Sequence, residues 1–180
     1  SETMKILVLV SGKAGSGKDT VGEYLVEKFG FRRYAFADKL KEIAREVGWN
    51  GEKDEKGRRL LQELGSVVRR YDQDTWVNIV LDEIKKNNGK KVVITDCRYV
   101  NEYQKAKEFA EEFGYLFVPL KITGREYDLP EELKTHESES EIDQIPGIEI
   151  ENNATLASLY RQIDIVLAMA LKKEKSFIVR

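Results

Sequence analysis

A chain of 180 residues and 20.7 kDa is the size of one domain, long enough to bury roughly 70% of the surface its unfolded form exposes. Its 30 basic and 32 acidic residues leave a net charge of −2, which excludes a bulk positive field for nucleic acid or an anionic membrane surface and confines any anion site to local geometry. The single cysteine, Cys97, excludes an internal disulfide, and no apolar run reaches the roughly eighteen residues of a membrane span, so a cytoplasmic protein without nucleic-acid or membrane partners is expected.

Ser1, Glu2 and Thr3 precede what reads as a natural start at Met4, and one domain over residues 4–180 is expected. Lys5 to Val10 reads as a strand, apolar on every position from Ile6, the pattern of a central parallel strand covered on both faces. It runs into Ser11-Gly-Lys-Ala-Gly-Ser-Gly-Lys-Asp-Thr20, after which Val21, Leu25 and Phe29, four apart, mark one helix face. Strand, glycine loop and helix are the context of a phosphate-binding loop. Gly12, Gly17 and Lys18 match G-x-x-x-x-G-K-[ST], with Gly15 and Ser16 inside it, but the next position holds Asp19 and the hydroxyl arrives one residue late, at Thr20. In such a loop the glycines let backbone N–H groups close around phosphate oxygens. The helix N-terminus adds partial positive charge, and the lysine reaches the β- and γ-phosphates.

Phe31 to Phe36 supplies a short further strand, weakened by Arg32 and Arg33. Residues 37–88 then hold three helical patterns with no strand between them, beginning with Leu40, Ile43, Ala44 and Val47. In an otherwise alternating chain this is an insertion the size of a small helical subdomain. Arg58, Arg59, Arg69 and Arg70 punctuate it with Gln62 and Trp76, and each arginine either turns toward a cleft or pairs with a neighbouring carboxylate.

Lys91 to Thr95 is a second central strand, and it ends at Asp96. A nucleotide enzyme of this layout keeps there the carboxylate that holds magnesium directly or through water; many strands also end in Asp merely to begin a turn. Arg98 is a bidentate donor suited to a phosphate, or else a partner for Glu102. Tyr115 to Ile122 and Gly147 to Glu151 read as further strands, and Leu156, Leu159, Ile163, Val166, Leu167 and Ala170 as the last helix face. Such alternation predicts an α/β fold with a doubly wound parallel sheet of about five strands. Residues 124–146 are polar, contain Pro130 and Pro146, and read as a lid-like flap whose acidic run from Glu137 to Glu141 is a solvated face. Lys121 and Arg125 border the flap, where they bring positive charge over a transferred phosphoryl group. His136, the one histidine, is read as structural or solvated, because a phosphate acceptor, with a second pKa of about 6, needs no general base.

Several of these segments occur together: the loop Ser11 to Thr20, Phe36-Ala-Asp-Lys-Leu-Lys41, Arg59-Leu-Leu-Gln-Glu-Leu-Gly65, Asp74-Thr-Trp76, Ile94-Thr-Asp-Cys-Arg98 with Asn101-Glu102, His136-Glu-Ser-Glu139, and Asn152-Asn153. As a set they resemble the deoxynucleoside monophosphate kinase family of bacteriophages and its relatives, over most of the chain. A loop ending Gly-Lys-Asp is usual in that family, so the resemblance implies that Asp19 marks the site, touching the metal directly or through its water. It implies a P-loop kinase fold, ATP and Mg2+ as cofactors, small-molecule nucleotides as partners, and a monomer or homodimer. It also implies that the 37–88 insertion grips the acceptor and that the lid carries an arginine. By motif match Gly12, Gly15, Ser16, Gly17, Lys18, Asp19 and Thr20 hold the donor, Asp19 and Asp96 the metal, and Lys18, Arg98 and Arg125 act in catalysis. Asp38, Lys41, Arg69, Trp76 and Arg98 face the acceptor. The expected reaction is ATP- and Mg-dependent phosphoryl transfer to a (deoxy)nucleoside monophosphate, giving the diphosphate. Two rivals are a kinase for another phosphorylated metabolite, phosphomevalonate-kinase-like, and a non-catalytic nucleotide-binding regulator.

Overall fold

Five strands form one sheet in the order β2-β3-β1-β4-β5: β1 (Lys5–Ser11), β2 (Arg32–Tyr34), β3 (Lys91–Cys97), β4 (Tyr115–Thr123) and β5 (Ile148–Glu151). Every pairing is parallel. This is a computed structural model, and it describes residues 4–124 and 136–179. Arg125 and Pro130, both read into the flap, lie outside the described residues.

The continuous apolar run of β1 is explained by two cores. Side chains alternate across a strand, and Leu7 and Leu9 enter one core with Val92, Ile94, Val77, Ile84 and Phe109, whereas Ile6, Val8 and Val10 enter the other with Val21, Leu25, Val93, Leu159 and Ile163. Helices α1 (Lys18–Phe29) and α7 (Leu156–Val179) cover the second face, and α4 (Thr75–Asn87) and α5 (Val100–Phe113) the first. Full burial of a leucine such as Leu7 or Leu9 contributes about 2 kcal/mol, so a polar residue of either parity in β1 is disfavoured. The sheet is the doubly wound one the alternation predicts.

The expected strand from Phe31 to Phe36 contracts to Arg32–Tyr34. It is an edge strand paired only with β3, which leaves Arg32 and Arg33 exposed while Phe31, Tyr34 and Phe36 are buried. Between β2 and β3 the chain runs through α2 (Ala37–Glu46), α3 (Glu55–Tyr71) and α4 with no strand. Asp54 opens α3 as an N-cap, its carboxylate accepting the Gly57 N–H at 2.8 Å. After β4 come the short helix α6 (Glu137–Ser140) and a 3-10 turn, Ile142–Gln144.

Strand order places the site. From β1 the chain moves to β2 and β3 on one side and later to β4 and β5 on the other, so a crevice opens at the carboxyl edge beside β1. Ser11 pairs with Cys97 at the ends of β1 and β3, which brings the glycine loop beside Asp96 and Arg98. Among the described residues no helix is long and apolar enough to cross a membrane.

Candidate active site

The glycine loop joins β1 to α1 through backbone that only glycine adopts readily. Gly12 has φ +150° and Gly17 φ +110°, and a Cβ on Gly12 would meet the Ser16 hydroxyl at 2.7 Å and the Ile122 carbonyl at 2.8 Å. Asn152, buried at the end of β5, props the loop from beneath: its Nδ2 donates to the Ser16 carbonyl at 2.8 Å and its own N–H to Thr123 at 2.7 Å. Lys18, the first residue of α1, is only 7% exposed and donates its ammonium to the carbonyls of Gly12 at 2.6 Å and Lys13 at 2.9 Å. Burial first, and then the Arg98 guanidinium, lower its pKa to about 8. Nearby the Ser16 hydroxyl is buried without a partner. A desolvated cation satisfied only by its own loop, with an orphaned hydroxyl beside it, is stabilised by an anion. A phosphate group therefore fits these residues.

The loop faces a cavity of about 410 Å³. Gly15, Lys18 and Asp19 line it from the loop side, Thr95, Asp96 and Arg98 from the end of β3, and Lys41, Arg69 and Trp76 from the helices between β2 and β3. The structure thus brings together residues that are scattered in the sequence. Its wall also holds Phe36, Leu40, Leu61 and Tyr99, an apolar stretch, together with Arg58, one of the arginines that the sequence allows to turn toward a cleft, and two cations that the sequence does not single out, Arg33 and Lys53. Lys53 stands against Lys41, whose like charge is the first cause of its lowered pKa, while Asp19 opposes the shift. Thr20 does not line the cavity. Asp38 does not either: it pairs with Arg33 at 3.1 Å on the exposed rim, because the first turn of α2 directs it back toward β2.

Both oxygens of Asp96 are engaged. Oδ1 accepts the Phe36 N–H at 2.7 Å and Oδ2 the Ala37 N–H at 2.9 Å, so the carboxylate fastens the start of α2 to the end of β3. Each oxygen keeps a second lone pair. Among the described residues no three acidic, His or Cys side chains cluster as a metal site. Magnesium does not require one, since it keeps several waters and takes one or two carboxylates together with substrate phosphates; Asp19 and Asp96, facing the same cavity, meet that description.

Arg98 does not form the salt bridge that its spacing to Glu102 allows. Glu102 instead turns one oxygen to the backbone N–H groups of Arg98, at 2.9 Å, and Tyr99, at 3.0 Å, closing the first turn of α5. That leaves the Arg98 guanidinium directed at the cavity. Glu102 is buried, and desolvation raises its pKa to about 8 against the opposing pull of those two bonds. Arg69 is held in place by the Gln73 carbonyl at 3.2 Å and Asn101 Oδ1 at 3.1 Å. Trp76 is buried and donates its indole N–H to the Gly65 carbonyl at 3.3 Å, tying α4 to α3.

The acidic run is not a solvated face throughout. Glu137 and Ser140 are exposed, but Ser138 is buried, Glu139 turns inward to accept the Ala14 N–H at 3.0 Å, and Glu141 accepts the Val100 N–H at 3.1 Å. Unpaired backbone donors of the glycine loop and of α5 draw these carboxylates in. His136 lines the cavity with its ring held at both nitrogens: Nδ1 accepts the Ser138 N–H at 3.0 Å, which leaves the proton on Nε2, 3.1 Å from the Ser66 hydroxyl. Desolvation lowers its pKa, favouring this neutral form.

The profile of the AAA domain family matches residues 8–154. A protein of Acanthamoeba polyphaga mimivirus named "Putative deoxynucleotide monophosphate kinase" is 29% identical, over 88% of this chain and 94% of its own. An uncharacterized protein, ORF77, of Ictalurid herpesvirus 1 (strain Auburn) is 26% identical over 87% of this chain and 68% of its own. Among solved structures, a gluconokinase from Sinorhizobium meliloti 1021 superposes with TM-score 0.57 at 19% identity, covering 99% of this chain and 98% of that one. TT1252 from Thermus thermophilus does so with TM-score 0.53 at 19% identity, covering 93% and 98%. With its phosphate loop, its sheet order and a family match across most of its length, the chain has the P-loop kinase fold and belongs to the AAA domain family.

Proposed function

We propose that the protein transfers the terminal phosphoryl group of ATP to the phosphate of a nucleoside monophosphate, a deoxynucleotide in the favoured reading, giving the diphosphate. The observation that carries this reading is the shared cavity: a phosphate loop with a desolvated lysine on one wall, and on the other an arginine already oriented by three neighbours beside an apolar surface. A donor site alone has no use for the second wall. The name of the mimivirus relative supports the same acceptor class.

In this reading residues 4–180 act as one kinase unit in the cytoplasm, α2 to α4 form the acceptor region, and residues 124–146 act as the lid. The loop from Gly12 to Gly17 wraps the donor phosphates with its N–H groups, and Lys18 exchanges its loop carbonyls for phosphate oxygens. Mg2+, held by the donor phosphates with Asp19 and Asp96, supplies charge neutralisation at the transferred group. Arg98 lies between the two walls and stabilises charge on the phosphoryl in flight. Arg69 grips the acceptor phosphate as a fixed fork, with Lys41 adding charge, while Phe36, Leu40, Leu61 and Trp76 take the base and sugar. Arg125 keeps its lid role from the family resemblance alone. No residue is asked to remove a proton, because the acceptor phosphate is already ionised near neutral pH; the rate comes from positioning and electrostatics. Incubating the protein with ATP, Mg2+ and each common ribo- and deoxynucleoside monophosphate, with separation of the products, tests the proposal. Diphosphate formed from at least one acceptor is expected, and none from any acceptor removes the assignment.

A further inference from the structure

We propose that Glu139 is a built-in substitute for a donor phosphate: its carboxylate occupies the phosphate loop, and an incoming polyphosphate must displace it. The inference rests on the phosphate-loop reading and adds a competitor to it. Glu139 Oε1 accepts the Ala14 N–H at 3.0 Å, inside the loop that the reading assigns to phosphate oxygens. Its Oε2 is buried with no hydrogen-bond partner. The side chain lines the cavity together with Lys18, whose charged form it favours more than Asp96 or Asp19 does. A carboxylate oxygen and a phosphate oxygen seek the same donors, and two anions do not share one nest of N–H groups without strong repulsion.

The placement is built and not incidental. Glu139 sits on α6, whose start is fixed by His136 through Ser138 on one side and through Ser66 of α3 on the other. Just beyond α6, Glu141 is bonded to the start of α5, and Asp143 pairs loosely with Lys13 of the glycine loop at 3.9 Å. The segment therefore bridges both walls of the cavity and aims one carboxylate at the loop. The contact is only half satisfied: one oxygen has a donor, and the other is desolvated without one. A triphosphate offers more oxygens and recovers Lys18 as well, so it wins the exchange, whereas a single weak anion gains little. Because the same short helix holds His136 against α3, filling the loop also loosens a tie to the opposite wall.

Calorimetric titration with inorganic tripolyphosphate, without and then with Mg2+, tests this on the full chain as wild type, Glu139→Ala, Glu139→Gln and Glu137→Ala. Glu137→Ala removes the same charge from the same helix at an exposed position. Expected without metal is a tightening of about fivefold for Glu139→Ala, a smaller tightening for Glu139→Gln, and less than about twofold change for Glu137→Ala. If Glu139→Ala does not fold, the Glu139→Gln and Glu137→Ala pair decides by the same direction. Equal tightening in all three variants would reduce the effect to general charge and overturn the proposal, as would unchanged or weaker binding by Glu139→Ala. Weakening confined to the titration with Mg2+ would assign the carboxylate to the metal and overturn it too. If tripolyphosphate binds none of the four proteins, the phosphate-loop reading itself fails; binding that is equal across them rejects the role of Glu139 alone.

Discussion

Arg69 sits over the ring of Tyr99, its guanidinium carbon 3.5 Å from the ring centroid. With its two terminal nitrogens donating to Gln73 and Asn101, the guanidinium is oriented by protein contacts alone where the residue lines the cavity, and each of those nitrogens keeps a second N–H. Arg69→Ala is expected to raise the acceptor KM about tenfold while ATP affinity stays within about twofold. Arg69→Lys does not rescue it, because an ammonium neither stacks nor binds in a fork. Tyr99→Leu shifts the acceptor KM in the same direction by less. Steady-state kinetics with each substrate varied in turn checks this, and equal loss of affinity for donor and acceptor would remove Arg69 from the acceptor wall.

Asp19 is exposed at the start of α1 and faces the cavity, where a carboxylate serves a metal or its water shell. Asp19→Ser is expected to keep turnover with a higher Mg2+ requirement, and Asp19→Lys to abolish turnover by setting a cation against the metal. Superimposable Mg2+ titrations of wild type and Asp19→Ser would show that the carboxylate has no part in metal handling.

Lys18 provides a pH signature. Its pKa in the free protein is lowered to about 8, and a bound polyphosphate favours the ammonium, so binding above that pH takes up a proton. ATP affinity is then expected to fall as pH rises past 8, by up to about tenfold per unit. Calorimetry at pH 9 in buffers of different ionisation enthalpy reads the proton directly. Absence of uptake would mean that Lys18 does not meet the phosphates.

The pKa of Glu102 is shifted in the opposite direction to that of a paired surface carboxylate. Burial raises its pKa from 4.5 to about 8 in the folded protein, so between those values the folded state holds a proton that the unfolded state has released, and stability falls as pH rises. Glu102→Gln keeps an acceptor for the Arg98 and Tyr99 N–H groups without the ionisation. It is expected to match wild type near pH 5 and to gain relative stability toward pH 8, by up to about 1.4 kcal/mol per unit. Urea midpoints across that range decide; a constant offset would show that Glu102 ionises normally in the fold.

What the sequence discloses follows the range of the interactions. The glycine loop was legible because strand, glycines and lysine are contiguous, and the sheet because both parities of β1 are apolar. Asp96 was legible as a strand end, but its bonds to Phe36 and Ala37 join residues about sixty positions apart and leave no local pattern. Glu139 reads in the sequence as part of a solvated run, because polarity does not reveal a backbone donor 125 residues away. The Arg98 and Glu102 spacing fits a helix ion pair equally well, yet Glu102 is also the third residue of α5, and that position favours bonds to backbone N–H groups. Lys53 carries no signal of its own, since it owes its place to the turn before α3.

The central claim is direct transfer between two nucleotides in one cavity, and ATP labelled in its γ-phosphate tests it most directly. With wild-type protein, Mg2+ and the preferred monophosphate from the acceptor panel, the label is expected in the β-phosphate of the newly formed diphosphate. Lys18→Ala, folded by its unfolding midpoint, is expected to lose turnover equivalent to about 2–4 kcal/mol of activation free energy. Label recovered only as inorganic phosphate, or transfer unaffected by Lys18→Ala, would contradict the account.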